Sequence, residues 1–189
     1  MLAGWEWDVA LLQEVPPWWP APLAAAAGAQ ERSVLTSRNW GLALRRAISE
    51  RNPDILKSNG GGANTILVRG PIGEHRSRRL TWLPERRYAH GVRLADGSWV
   101  VNLHATTRVE ERARRDTLRA LEAAREWAGG APLLFGGDVN LYGRPELPGL
   151  RYVGGNHVDH LYTEGRPALA AEVLERGRLS DHPPVRISL

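Results

Sequence analysis

Leu133-Leu134-Phe135-Gly136-Gly137-Asp138-Val139-Asn140 is the stretch on which the fold turns. After the helix-breaking pair Gly129-Gly130, Pro132 to Phe135 forms a short apolar run that predicts a buried strand. That strand exits through two glycines into an aspartate and an asparagine. Gly, Asp and Asn all suit tight turns, so the segment alone has an ordinary structural reading. Asp138 and Asn140 are spaced by two, which would put both side chains on one side of an extended segment. The question is whether other strands end in the same kind of chemistry.

Four other clusters do, and most of them also close an apolar run. Leu11-Leu12-Gln13-Glu14-Val15 ends a short run in a carboxylate. Val100-Val101-Asn102-Leu103-His104 ends in an imidazole. Val158-Asp159-His160-Leu161-Tyr162 places a carboxylate within an apolar strand, which costs several kcal/mol of desolvation unless it is paired. Ser180-Asp181-His182 immediately precedes the last apolar run, Val185 to Leu189. A lone Glu, His or Ser-Asp-His is usually a solvated loop residue or an Asx turn. Carboxylates and imidazoles gathered at several strand ends on one side of a sheet make a metal and phosphate site instead. Glu and Asp oxygens suit Mg²⁺ or Mn²⁺. Phosphate-ester hydrolysis needs neutralised non-bridging oxygens, an oriented water and help for the leaving group, and these residue types supply all three.

Further strands are predicted at Asn64–Val68, Arg79–Leu83, Tyr88–Leu94 and Ala168–Leu174, with Asp96-Gly97 as a hairpin turn before Trp99. One clear helix stands between the strands. Thr107-Arg108-Val109-Glu110 has the form of a capping box, an apolar stripe of Val109, Ala113, Ala120, Leu121 and Ala124 follows, and Gly129-Gly130 ends it. Ala21–Ala29 reads as a loop or a short helix. The order of elements predicts an α+β or layered α/β fold. The chain has 189 residues, enough for one domain over residues 1–189.

Composition narrows the functional classes. There are no cysteines, which removes disulfides, thiolate metal sites and a cysteine nucleophile. No run approaches the ~20 apolar residues of a membrane span, and no basic n-region marks a secretory signal. The formal net charge is +4. Lys57 is the only lysine, so arginine supplies nearly all the positive charge, as a genomic composition bias would also produce. A basic surface attracts polyanions such as nucleic acid or anionic lipid.

The ordered set Gln-Glu, Asn-Leu-His, Gly-Asp-x-Asn, Asp-His-aliphatic and Ser-Asp-His resembles the endonuclease/exonuclease/phosphatase superfamily. The resemblance runs from about Asp8 to the C-terminus. It implies a four-layer α/β sandwich of the DNase I-like type, with two packed, mainly antiparallel sheets, outer helices and an active site at one edge. It further implies a divalent-metal-dependent phosphoesterase using Mg²⁺ or Mn²⁺. By the resemblance, Glu14 and Asp181 match metal-side carboxylates. Asp138 matches the aspartate that orients or deprotonates the attacking water. His182 matches the histidine on the scissile phosphate, and Asp159 the carboxylate that holds that imidazole. Asn140 and His104 match phosphate contacts, His104 also assisting the leaving group. Arg87, or Arg86 beside it, stands where some nuclease relatives carry a phosphate-binding arginine. Asn64 follows a glycine run, as in the family's Gly-Asn-x-aliphatic strand. His160 receives no role and is expected on the opposite strand face.

The resemblance breaks at the start of the chain. The family's usual first strand ends in Trp-Asn, whereas here only Leu2 to Asp8 precede the Gln-Glu strand, and Asn39 lies on the wrong side of Glu14. The expectation is a domain N-terminally truncated relative to the family, with reduced stability and activity. Among substrates, phosphodiesters in nucleic acid lead. Trp18 and Trp19, just after Glu14, are placed to stack on bases, to enter a lipid interface, or simply to pack. The alternatives are a phospholipid or inositol-phosphate hydrolase, sphingomyelinase-like enzymes included, and a catalytically impaired binding module. A monomer without an obligate protein partner is expected, in the cytoplasm by default, with secretion left open.

Overall fold

Alternation of side chains along the strands decides how the layers stack. The computed structural model describes residues 4–36, 39, 41–51, 62–83, 85–167, 171–176, 180 and 182–188. In chain order the elements are β1 (Val9–Val15), α1 (Pro20–Ala27), β2 (Gln30–Thr36), α2 (Leu42–Arg51), β3 (Gly62–Val68), β4 (Ile72–Thr81) and β5 (Arg87–Leu94). There follow β6 (Trp99–His104), α3 (Glu110–Ala128), β7 (Leu133–Asp138), β8 (Arg151–Asn156), β9 (Asp159–Glu164), β10 (Glu172–Val173) and β11 (Val185–Arg186).

The described strands form a six-stranded sheet in the order β4-β5-β6-β7-β9-β8, a three-stranded sheet β1-β3-β2, and the β10-β11 ladder. All pairings are antiparallel except β6 with β7. That parallel step requires a crossover, which α3 supplies. On β6, Trp99, Val101 and Leu103 face α3, packing with Ala113, Ala120, Leu121, Ala124, Leu133, Phe135 and Tyr162. Val100, from the alternate set, faces the small sheet with Val92, Ile66 and Val68. Burying a side chain such as Phe135 or Leu103 stabilises the fold by about 1.5–3 kcal/mol. Alternate residues of one strand therefore bind the helix and the second sheet, which makes the sandwich. No helix of the described residues is long and apolar enough to cross a membrane.

The interior strands lie where the sequence predicts them. β2, β4 before Arg79, and β8 are not anticipated by the apolar pattern, and all three are edge strands. Edge strands carry charged and polar residues, here Glu31, Arg32, Glu74, Arg76, Arg78 and Arg151, and so lack the apolar signature. The small helix α1 forms, starting on Pro20 and ending at Gly28 with φ 62°. α2 has too weak an apolar face to announce itself.

The helix α3 ends as expected at Gly129, whose φ of 55° suits glycine. Its start differs. Val109 is the N-cap, no side chain caps it, and the capping box of Thr107 and Glu110 does not form. Val109 is accordingly exposed instead of joining the stripe. The helix is fixed instead through buried Asp116, whose carboxylate accepts from the Thr106 N–H at 3.2 Å, the Thr106 hydroxyl at 2.5 Å and the Thr81 hydroxyl at 2.8 Å. This ties the loop after His104 to α3. The expected strand Ala168–Leu174 is short, β10 only, and residues 168–170 lie outside those described.

Candidate active site

Strand register lays three predicted residues in one row. His104 pairs with Asp138 across the parallel β6/β7 step, and Asp138 pairs with Asp159 across β7/β9. Neighbours at the same level of a sheet point to the same face, so the row presents an imidazole and two carboxylates together. His104 Nε2 lies 3.5 Å from Asp138 Oδ2. Gly137 makes the approach possible. Its φ is 122°, and a Cβ there would run into the Leu103 carbonyl.

His182 joins from the segment before β11. Its Nδ1–H donates to Asp159 Oδ2 at 2.9 Å. This gives Asp159 the partner that its apolar strand demanded. Asp138, Asp159 and His182 offer ligand atoms within 4.8 Å of one another. Burial raises the Asp138 carboxyl to about 7, and nearby Asp159 adds to the shift. Burial lowers His104 to about 3, with Arg87 and then His182 contributing, so its imidazole is neutral at pH 7.

A β-bulge places Glu14. Leu12 pairs with Thr65 and Val15 with Ala63, so Gln13 and Glu14 together oppose Asn64. Glu14 has φ 55°, an unusual conformation for a residue with a side chain. The extra residue turns both side chains toward the large sheet. Gln13 Nε2 donates to Asn102 Oδ1 at 2.7 Å, while Glu14 Oε1 stands 3.8 Å from His104 Nδ1. The Glu14 side chain is 72% exposed. Bulge and row thus bring Glu14, His104, Asp138, Asp159 and His182 to one edge. Asp181 lies outside the described residues.

Asn140 reaches this edge by a different route from the one predicted. The chain is not extended there: β7 stops at Asp138 and Asn140 has φ 52°. The Asn140 N–H donates to Asp138 Oδ1 at 3.0 Å, and its Nδ2 donates to the Ala105 carbonyl at 3.1 Å. Asn140 therefore locks the Asp138 carboxylate as an Asx turn does. Between the two arginines, Arg87 is buried and its Nη2 donates to Glu85 at 2.6 Å, while Arg86 lies over the exposed Trp82 ring at 4.5 Å. Arg87 is the one whose charge reaches His104 and Asp138. His160 faces away from the row, as expected. Its Nε2–H donates to the Leu141 carbonyl at 2.8 Å and its Nδ1 accepts from the Tyr152 hydroxyl at 3.2 Å.

The sequence reading passes over one polar chain. His75 Nε2 is 3.3 Å from His90 Nδ1, and Asn102 Nδ2 donates to the carbonyls of Leu12 and Thr65 at 3.1 and 3.2 Å. Asn102 so bolts the two sheets together beside the bulge. The available signal was a histidine inside the apolar strand Tyr88–Leu94.

A cavity of about 1620 Å³ opens over the site, lined by Glu14, Trp19, His104, Asp138, Asn140, Asp159 and His182. It continues along β1, whose second side has no partner strand among the described residues, over Leu94, Leu133, Leu134 and Leu161. The donor chemistry fits a hard divalent cation: carboxylates and imidazole without thiolate. Three buried side chains by the site keep unpartnered polar atoms, namely His104 Nδ1, Arg87 Nε and both amide atoms of Asn64.

Comparison with known proteins agrees with this fold. The endonuclease/exonuclease/phosphatase family matches residues 1–182, and the chain belongs to that family of phosphoesterases. Among solved structures, an endonuclease/exonuclease/phosphatase from Beutenbergia cavernae is 18% identical with a TM-score of 0.66; the match covers 94% of this chain but 61% of that one. A mannosyl-6-phosphatase from Bacteroides thetaiotaomicron is 16% identical, TM-score 0.67, over 96% of this chain and 85% of its own. A truncated TDP2 from Caenorhabditis elegans is 17% identical, TM-score 0.61, over 94% and 82%. At such identities the likeness is one of fold, and it establishes the DNase I-like sandwich. The search of curated proteins finds no match.

Proposed function

We propose that the protein is a divalent-metal-dependent phosphodiesterase acting on nucleic acid. The observation that carries this reading is the row His104–Asp138–Asp159 with His182 bonded to Asp159. Glu14, with Asp181 by the family resemblance, would hold Mg²⁺ or Mn²⁺. Bound there, the cation supplies Lewis-acid stabilisation of charge on the phosphate.

The chain's own residues do the rest. Asp138 accepts the proton of the attacking water; a carboxyl near 7 is matched to that task at neutral pH. Asn140 holds one Asp138 oxygen so that the other faces the water. Asp159 fixes the tautomer of His182 and favours its imidazolium, which stabilises the phosphate oxygens. His104, neutral, serves as a hydrogen-bonding group to phosphate. Arg87 adds fixed positive charge beside them.

Substrate class rests on the surface. Trp82 is exposed with the Arg79 and Arg86 guanidinium groups 4.8 and 4.5 Å from its ring centre, a cationic knob five residues before Arg87 in sequence. Exposed Trp19 and Tyr142 follow Glu14 and Asn140 in sequence. Cationic and aromatic groups around a phosphate site suit a nucleic-acid strand.

The test is plasmid nicking with Mg²⁺ or Mn²⁺ against chelator, with Asp138→Ala as control. Metal-dependent nicking lost in the variant is expected. Phosphate release from mannose or inositol phosphates, or cleavage of phospholipid, without nicking would move the reading to small or lipid esters. Metal-independent DNA binding without turnover would make the protein a binding module.

A further inference from the structure

Asn64 is wholly buried, and neither its Oδ1 nor its Nδ2 has a hydrogen-bond partner. A carboxamide offers two donors and two lone pairs, and buried ones are almost always satisfied. Its neighbours on the same strand show what it faces. Ile66 and Val68, alternate residues of β3, lie in the layer between the sheets. Thr65, of the opposite set, meets Ser33 of β2 at 3.1 Å. Asn64 therefore points between the sheets, at the end of β3 that stands opposite the Gln13–Glu14 bulge.

Two features meet at that bulge. Gln13 is already committed to Asn102. Glu14 is mostly in solvent, and on its inner side His104 Nδ1 is also buried without a hydrogen-bond partner. The exposed Glu14 carboxylate thus lies 3.8 Å from His104 Nδ1, on the bulge that stands opposite Asn64.

We infer that Asn64 is a positioning residue for Glu14: with a divalent cation bound, its carboxamide, unpartnered in the structure, would hydrogen-bond the Glu14 carboxylate and hold it toward the cation. This rests on the metal-dependent reading of the site. It explains why a polar side chain occupies a place whose strand neighbours are Ile66 and Val68, and why the bulge keeps an extra residue. Groups that orient a metal ligand typically change affinity 10–100-fold when removed, on the order seen in well-studied metal sites.

The experiment compares wild type with Asn64→Leu, close in size and apolar, and Asn64→Thr, smaller with one hydroxyl. Mn²⁺ binding is followed by calorimetry and thermal denaturation is recorded without metal. The expected result is that Asn64→Leu keeps or raises the metal-free Tm yet binds Mn²⁺ about tenfold more weakly. Asn64→Thr should recover part of that loss. Wild-type affinity in Asn64→Leu would overturn the inference while leaving the metal-dependent reading standing. A Leu variant that loses metal-free stability, with a Thr variant binding no better, would make Asn64 purely structural. If wild type binds no Mn²⁺, the inference falls together with the reading beneath it.

Discussion

β6 ends in His104 and β1 carries Glu14 one residue before its end, both at the candidate site, yet the two strands are built differently. All six residues of β6 are buried, and the strand lies between β5 and β7 under α3. In β1 only Val15 is buried, and one side of the strand has no partner among the described residues. His104 is consequently fixed by its register, whereas Glu14 depends on a bulge and on the Gln13–Asn102 hydrogen bond. The difference teaches that this site joins a rigid wall, His104, Asp138 and Asp159, to a softer one that carries Glu14. Few buried contacts and an open edge are what make a segment locally unstable.

The largest expected effect separates the two walls by chemistry. Asp138→Ala should lower turnover by about 10²–10⁴-fold, as loss of a general base does. Its Tm should hold or rise, because a buried carboxyl with a raised pKa disfavours folding once ionised. Glu14→Ala, on the softer wall, should raise the Mn²⁺ concentration needed for half activity and leave the Tm unchanged. A Glu14 variant with the wild-type metal requirement would break the comparison.

Next comes packing. Leu103→Ala should cost about 2–5 kcal/mol in urea unfolding, as do other Leu truncations in well-packed cores. Leu11→Ala, on partly buried β1, should cost about half as much or less. Hydrogen exchange should show the β1 amides opening before those of β6. Equal costs and equal protection would mean that β1 is as firmly held as β6.

The smallest effect is in the pH dependence of stability. Burial, with His75 beside it as the lesser cause, lowers His90 from 6.5 to about 3; His104 is likewise near 3. An imidazole with a depressed folded value takes up its proton first in the unfolded chain. Its contribution is complete above pH 6.5 and is lost as pH falls from there toward 3. Asp138 works in the other sense, because its folded value is raised from 3.8 to about 7 and its contribution is lost as pH rises through that range. The two histidines outweigh the one carboxyl, so Tm should rise with pH between about 4 and 6.5. His90→Gln should reduce that slope by one proton, about 1.4 kcal/mol per pH unit. An unchanged slope would show that His90 is not kept neutral.

The edge strands explain where sequence reading stopped. A strand buried on both faces writes itself as Val100-Val101 or Leu133-Leu134. A strand at an edge, such as Gln30–Thr36 or Glu74–Arg78, is polar because one of its sides meets water. The capping signal at Thr107 misled for a related reason. Asp116, inside the helix, bonds back to Thr106 ten residues earlier and ties the preceding loop to α3 without a cap, and no capping pattern reveals it.

By itself the sequence determined the interior strands, α3, and the polar residues at or beside strand ends: Glu14, His104, Asp138, Asp159 and His182. These follow from local physics, from apolar periodicity and from the cost of a carboxylate in an apolar run. Tertiary structure alone decided that His104, Asp138 and Asp159 share one row, that a bulge turns Glu14 inward, that Arg87 and not Arg86 reaches the site, and that Asn64 lies buried behind it. Each of those depends on register between strands distant in sequence, and register is set by side-chain packing across the sheets, which no single segment contains.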